Sequence, residues 1–315
     1  MKRIVFVCAA LLVFSLSSAP ARADNYTGTW SIAPSSKAGD VDLQLRYVRS
    51  GSFGSEQWDE SEDTPVSQLH GLTTADIQSS GARKTFTIQE DAGAFRADGT
   101  FNGGNGAGTW TFVPSPAFAN ELRRRGMGSP TDKEQFQLAM ARFRLSTLDS
   151  LLNSGFERPS IGDLIAMGQH GVDDDYINAM KGVRLSPKRI SELIRMRDHG
   201  VSAKYAAEML RRAPQLTAED LIELRDHGVS TEYMQALVDG GYGNVSPSQA
   251  ERLMDHGVSS RYLAGLHRLG FHPTVDELVR LADHGVSIAF IERMRQHGYT
   301  HLSVDDLIRL RDHGF

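Results

Sequence analysis

The stretch Thr217-Ala-Glu-Asp-Leu-Ile-Glu-Leu-Arg-Asp-His-Gly-Val-Ser-Thr-Glu-Tyr233 decides the fold, because each part of it reads as one corner between two short helices. Thr217 followed by Asp220 fits an N-cap with an acid three places on, which satisfies and charge-complements the free amides of a first turn. Leu221, Ile222 and Leu224 then form one apolar stripe on a helix of roughly ten residues, short by ordinary helix statistics. Gly228 suits the left-handed position just past that helix, and Val229 would pack back on Leu224, five residues earlier, as in a Schellman closure. Ser230 opens a second helix, in which Tyr233 and Leu237 share a face until Gly240-Gly241 stops it.

The unit recurs. Pairs at His170-Gly171, His199-Gly200, His227-Gly228, His256-Gly257, His284-Gly285 and His313-Gly314 are spaced 29, 28, 29, 28 and 29 residues apart, whereas His70 and His297 precede glycine outside this register. Ser160/Asp163, Thr274/Glu277 and Ser303/Asp306 repeat the first cap, and Pro187 and Pro247 follow Ser186 and Ser246 at the one helical position that tolerates a missing N–H. Ser202, Ser259 and Ser287 repeat the second cap; Tyr176, Tyr205, Tyr262 and Phe290 repeat Tyr233, six residues after each histidine.

Helices this short are marginal alone, so stability has to come from stacking unit upon unit. Residues 115–315 are therefore expected to form an α-solenoid of 28–29-residue helical hairpins, a shorter period than the tetratricopeptide repeat at about 34. Its first units read as degenerate: Ala117–Gly126 resembles a short helix ended by glycine, and Phe143-Arg144-Leu145-Ser146 stands about where His-Gly-Val-Ser would.

The repeated pattern, as in Asp306-Leu-Ile-Arg-Leu-Arg-Asp-His-Gly314, resembles a helical repeat of exported bacterial proteins without an assigned activity, similar also to repeats appended to some membrane metallopeptidases of the β-lactam-sensor type. The likeness covers most of 115–315, and the front of the chain looks like the N-terminal part of the same exported family. It implies an architecture and no activity, since the His-Glu-x-x-His of the peptidases has no counterpart here.

Residues 24–114 read as an antiparallel β-rich domain, so the fold class is α+β in two domains. Thr27–Ile32, Val41–Val48, Thr85–Ile88, Ala94–Phe101 and Thr109–Phe112 are candidate strands, and Asn102–Gly106 is a turn. Glu56, Asp59, Glu60, Glu62 and Asp63 read as a solvated acidic loop. Gly28-Thr29-Trp30 is similar to the Gly-x-Trp opening of lipocalin-like barrels, but Gly108-Thr109-Trp110 repeats the triplet, which favours a strand start with a core tryptophan.

Residues 1–23 have a basic start (Lys2, Arg3), an apolar run from Ile4 to Leu16 and the small-residue ending Ala21-Arg22-Ala23, the order of a secretory signal peptide with cleavage after Ala23. The apolar run is too short for a permanent span, so no stable membrane insertion is expected after cleavage, and a periplasmic or secreted location follows. The only cysteine, Cys8, lies in that segment, which leaves the remainder without disulfide, thiolate metal site or cysteine nucleophile. A net charge of −5 argues against nucleic acid as the main partner.

No catalytic arrangement stands out. Gly103–Gly108 lacks the Gly-Lys-Ser/Thr of a phosphate loop, and Asp173-Asp174-Asp175 suits a helix start better than a calcium loop. The histidine ladder invites a metal, but equivalent residues of stacked hairpins lie on the order of 10 Å apart, far beyond shared ligation at about 2 Å. Capping of free helix carbonyls is the expected role of each histidine, and no metal or cofactor is assigned. The aromatic ladder reads as core. Arg195, Arg197, Arg225, Arg252, Arg280, Arg309 and Arg311, interleaved with Asp198, Asp226, Asp255, Asp283 and Asp312, read as an exposed inter-repeat ion-pair network that could also face a partner. The expected function is a non-enzymatic, exported scaffold for a protein partner in the cell envelope. The alternatives are a small apolar ligand or hydrolase site in the β domain near Trp30 or Trp110, and binding of an envelope polymer by the repeats.

Overall fold

The alternating residues of the front third build one antiparallel sheet in the computed structural model, which describes residues 26–51, 54–185 and 188–314; the expected signal peptide over 1–23 lies outside them. The strands are β1 (Thr27–Pro34), β2 (Asp40–Gly51), β3 (Gly54–Pro65), β4 (Leu69–His70), β5 (Ser80–Glu90), β6 (Gly93–Asn102) and β7 (Asn105–Pro114), in the spatial order β3-β2-β1-β7-β6-β5-β4. A short helix, α1 (Thr74–Gln78), closed by a Thr73/Asp76 capping box, interrupts them and buries Ile77.

The two Gly-Thr-Trp triplets turn out to be each other's register. Gly28 pairs with Trp110, Thr29 with Thr109 and Trp30 with Gly108 across the β1–β7 seam. Both indoles are buried on one face of the sheet, and their N–H groups donate to backbone carbonyls, Trp30 to Asp98 at 3.2 Å and Trp110 to Thr29 at 2.9 Å. The glycines are required by close approach: a Cβ on Gly28 would lie 2.3 Å from the Trp110 ring, and one on Gly99 2.5 Å from Trp30.

The expected acidic loop is instead strand β3, paired along the whole of β2. It forms a sheet edge, and it is polar because charged side chains keep such an edge from pairing with another chain. Asp63 bonds Ser35 and Lys37, and Asp59 accepts from Gln44 at 2.8 Å.

Short helices follow: α2 (Pro116–Arg124), α3 (Asp132–Met140), α4 (Leu145–Leu152), α5 (Ile161–Gln169), α6 (Asp174–Met180), α7 (Ile190–Asp198), α8 (Ala203–Arg212), α9 (Ala218–Asp226), α10 (Thr231–Asp239), α11 (Pro247–Asp255), α12 (Ser260–Arg268), α13 (Val275–Asp283), α14 (Ile288–Gln296) and α15 (Val304–Asp312). Odd-numbered helices from α3 to α15 pack each on the next odd one, and even-numbered helices from α4 to α14 do the same, which gives the two-layered stack of a solenoid. None is long and apolar enough to cross a membrane.

The corners close as their residues dictate. Gly200 N–H donates to Arg197 and Val201 N–H to Met196, the two bonds of a Schellman motif, and Val172, Val229, Val258 and Val286 repeat the second bond at 2.8 to 2.9 Å. Gly171, Gly200, Gly228, Gly257, Gly285 and Gly314 have φ between +64° and +84°. Ser160, Thr217, Thr274 and Ser303 make capping boxes with the acids three places on, and Ser246 does so with Gln249 behind Pro247.

Two sequence readings shift. The first corner is Ala141-Arg142-Phe143-Arg144, two residues before the expected position and 29 before His170, with Arg142 at the glycine place in a left-handed φ of 50° and Phe143 N–H closing on Leu138. Ser186-Pro187, the expected cap of α7, lies outside the described residues; α7 starts at Ile190, whose N–H donates to Glu157 of the preceding corner at 2.9 Å.

The sheet and the helices share one core. Phe136 of α3 stacks on Tyr26 at 4.5 Å between centroids and lies 4.8 Å from Tyr47, 5.6 Å from Phe112 and 5.9 Å from Trp110. Replacing it by alanine, Phe136→Ala, should cost about 3–5 kcal/mol. The expected readouts are a lower denaturant midpoint and tryptophan emission shifted to longer wavelength.

Candidate interaction surface

Each first-layer helix from α5 to α15 ends on a histidine C-cap, His170, His199, His227, His256, His284 or His313. The rings of the first five reach forward, beyond their own helix carbonyls. Nδ1 of His170 pairs with Asp198 at 2.9 Å, His199 with Asp226 at 2.8 Å, His227 with Asp255 at 2.9 Å, His256 with Asp283 at 2.7 Å and His284 with Asp312 at 3.0 Å. Because a carboxylate only accepts, Nδ1 carries the hydrogen in every rung. These aspartates thus pair with histidines, and the arginines make their inter-repeat pairs with other acids. The odd helices stack in parallel, so one C-cap lies beside the last residue of the next.

The arginines, one turn further back, reach the first turn of the next helix or the previous corner. Arg195 forks onto Glu219, Arg252 bonds Asp276 and Arg280 bonds Asp305. Arg197 and Arg311 donate to the carbonyls of Gly171 and Gly285, at 2.9 and 3.1 Å. Their guanidinium groups, with that of Arg225, lie 5.1 to 5.8 Å from the rings of Tyr176, Phe290 and Tyr205. Arg309 bonds Asp306 within its own helix. The arginine series is thereby engaged mainly in holding repeat to repeat.

The aromatic ladder is buried, apart from the half-buried Tyr262, and its hydroxyls have a further use. Tyr176, Tyr205, Tyr233 and Tyr262 donate to the carbonyls of Val201, Val229, Val258 and Val286, at 2.8 to 2.9 Å, each the corner valine of the next repeat. Sequence reasoning read these positions as apolar; the signal that distinguishes them is tyrosine in four of five copies, where a purely apolar slot would accept phenylalanine as it does at Phe290. Burial pushes the hydroxyls of Tyr176 and Tyr205 up to about 12, and those of Tyr233 and Tyr262 also upward, so the clips keep their protons throughout the neutral range.

A further exposed row lies on the second layer, and within it Glu232 bonds Ser230 and Thr231 at the start of its own helix. Asp175, Lys204, Glu232, Arg261 and Ala289 occur five residues after each histidine, all exposed, in the first turn of α6, α8, α10, α12 and α14. Among the described residues no three His, Cys, Asp or Glu side chains converge to hold a metal ion. At the alternative β-domain site, Phe95, Phe136 and Tyr47 surround the Trp110 indole. Trp30 is likewise packed against Phe86 and Phe101.

The His227–Asp255 rung and the tyrosine clips respond differently to pH. The hydrogen bond to Asp255, followed by nearby negative charge, holds His227 above its ordinary 6.5. A raised folded-state value means that this rung's stabilisation is complete below 6.5 and is lost as pH rises through the raised value. Asp255→Asn should lower the His227 midpoint in an NMR titration of its ring protons. Tyr233→Phe, which strips a buried carbonyl of its donor, should cost about 1–2 kcal/mol equally at pH near 6 and near 8, measured by denaturant unfolding.

Comparison of the chain with protein-family models, with curated proteins and with solved structures found no match.

Proposed function

We propose that the protein is an exported, non-enzymatic scaffold whose stacked helices hold a protein partner in the cell envelope. One observation carries this reading. Across the repeats the recurrent residues, His, Gly and Val with Ser (Asp173 in one copy) and Tyr (Phe290 in one copy), are those that bond within or between corners, whereas the residues that differ from copy to copy include an exposed row whose hydrogen-bonded member, Glu232, bonds the start of its own helix. A frame that recurs where it is structural and varies where it is exposed presents side chains at fixed spacing, which suits recognition of an extended partner. The row runs acid, base, acid, base from Asp175 through Lys204 and Glu232 to Arg261, so the fitting partner carries charges of alternating sign along an extended segment. Export rests on the basic, apolar and Ala-Arg-Ala order of residues 1–23, and the resemblance of the repeats to those of exported bacterial proteins agrees with it.

The test is site-specific photocrosslinking in cells, with the reactive group placed in turn at Lys204, Glu232, Arg261 and, as a control on the exposed sheet face, Thr109. A discrete protein adduct from the three helix positions, in the extracytoplasmic fraction and absent from the Thr109 variant, is the expected result. Adducts confined to the cytoplasm would overturn export. Equal labelling from Thr109, or none from the helix row, would overturn the surface.

A further inference from the structure

One junction in the stack is built unlike its neighbours. The apolar position occupied by Ile165, Ile194, Ile222, Val279 and Ile308 in five first-layer helices is Glu251 in α11. The next position, Arg195, Arg252, Arg280 and Arg309 in four helices, is Glu223 in α9. Both departures meet where α9 packs on α11.

Their consequence is visible in the bonds. At the α7–α9, α11–α13 and α13–α15 junctions an arginine reaches an acid in the first turn of the next helix: Glu219, Asp276 or Asp305. At α9–α11 the arginine's place holds Glu223 and the acid's place holds Ser248, so this bridge is missing. Oε1 of Glu251 is buried with no hydrogen-bond partner among the described residues. A partly buried carboxylate with one enclosed, unbonded oxygen beside a second carboxylate is costly, and in a nearest-neighbour stack a costly interface is one at which the array can open.

We propose that the α9–α11 junction is a hinge that divides the solenoid into two stiffer blocks, loose when Glu251 is ionised and tightened when acid neutralises it. The surroundings favour neutralisation. From α9, Glu223 and Asp220 bring negative charge and His227 positive charge, while Asp226 acts on His227; α11 itself adds Asp255. Arg252 is bonded to Asp276 of α13, and Asp283 of α13 is held by His256. Arg195 of α7, which Glu223 also senses, is forked onto Glu219. Burial first, and the Glu223 charge second, push the Glu251 carboxyl above its ordinary 4.5. A raised folded-state value gives stability that is present below 4.5 and lost as pH rises through the raised value, the same direction as the His227 rung of this junction.

Hydrogen exchange of the full chain, corrected for intrinsic rates, tests the idea at about pH 4.5 and about pH 6, a window in which a histidine held above its ordinary value stays charged. Protection of α9 and α11 amides should rise several-fold on acidification while that of α13 changes little. Glu251→Gln, close to isosteric, should abolish that dependence, and Glu251→Ile should bring protection at the higher pH to the level of α13. Equal protection of α9–α11 and α11–α13 at both pH values, or a dependence that survives Glu251→Gln, would overturn the hinge.

Discussion

The structure depends on the peptide of a single valine at each corner. The N–H of Val201, Val229, Val258 or Val286 closes the helix that ends there, by bonding the carbonyl five residues back. The C=O of the same residue accepts the hydroxyl of a tyrosine from the preceding repeat. Both backbone polar groups of a buried residue are thereby satisfied, one by local folding and one by stacking, and neither could be left unpaired without a penalty. The corner is complete only when its neighbour is in place. This makes the hairpins cooperative although each helix of about nine residues would be marginal alone.

That dual use explains what was legible in the sequence and what was not. Glycine, serine and proline mark helix ends through local sterics and capping, so the period, the caps and the two-helix unit could be read from Thr217–Tyr233 and its copies. The partners of the histidines and tyrosines could not, because they lie 24 to 28 residues away and depend on how one hairpin sits on the next. The first corner was misplaced by two residues for a related reason: Arg142 stands at the glycine position, held there with its ion pair to Glu62 of β3, and breaks the only pattern that marks the place. Strand β3 escaped notice because an edge strand has little apolar alternation to display, and α1 because a five-residue helix is shorter than the period used to find one.

The sheet and the stack are joined by chemistry that sequence patterning assigns to neither. The Gly28/Trp110 and Trp30/Gly108 pairs leave both indoles on one face, and Phe136, four residues before the end of the first-layer helix α3, fills the space beside Trp110. A lone sheet of this composition would expose a large aromatic surface; here that surface is the seat of the first helix pair. The β region therefore acts as the cap that a solenoid needs at its end, because a terminal repeat otherwise presents its apolar stripe to water.

The two inter-repeat bonds also divide the work of holding the stack. The tyrosine clip is buried and stays protonated far above neutrality, so it fixes register under all ordinary conditions. The His–Asp rungs are half exposed, and each contributes little by itself. Rungs of that kind tune the stiffness of a stack whose register they do not set. The interactions that define the repeat lie inside and ignore pH across the neutral range, whereas on the edge the His227–Asp255 rung, whose histidine is held above its ordinary value, loosens as pH rises.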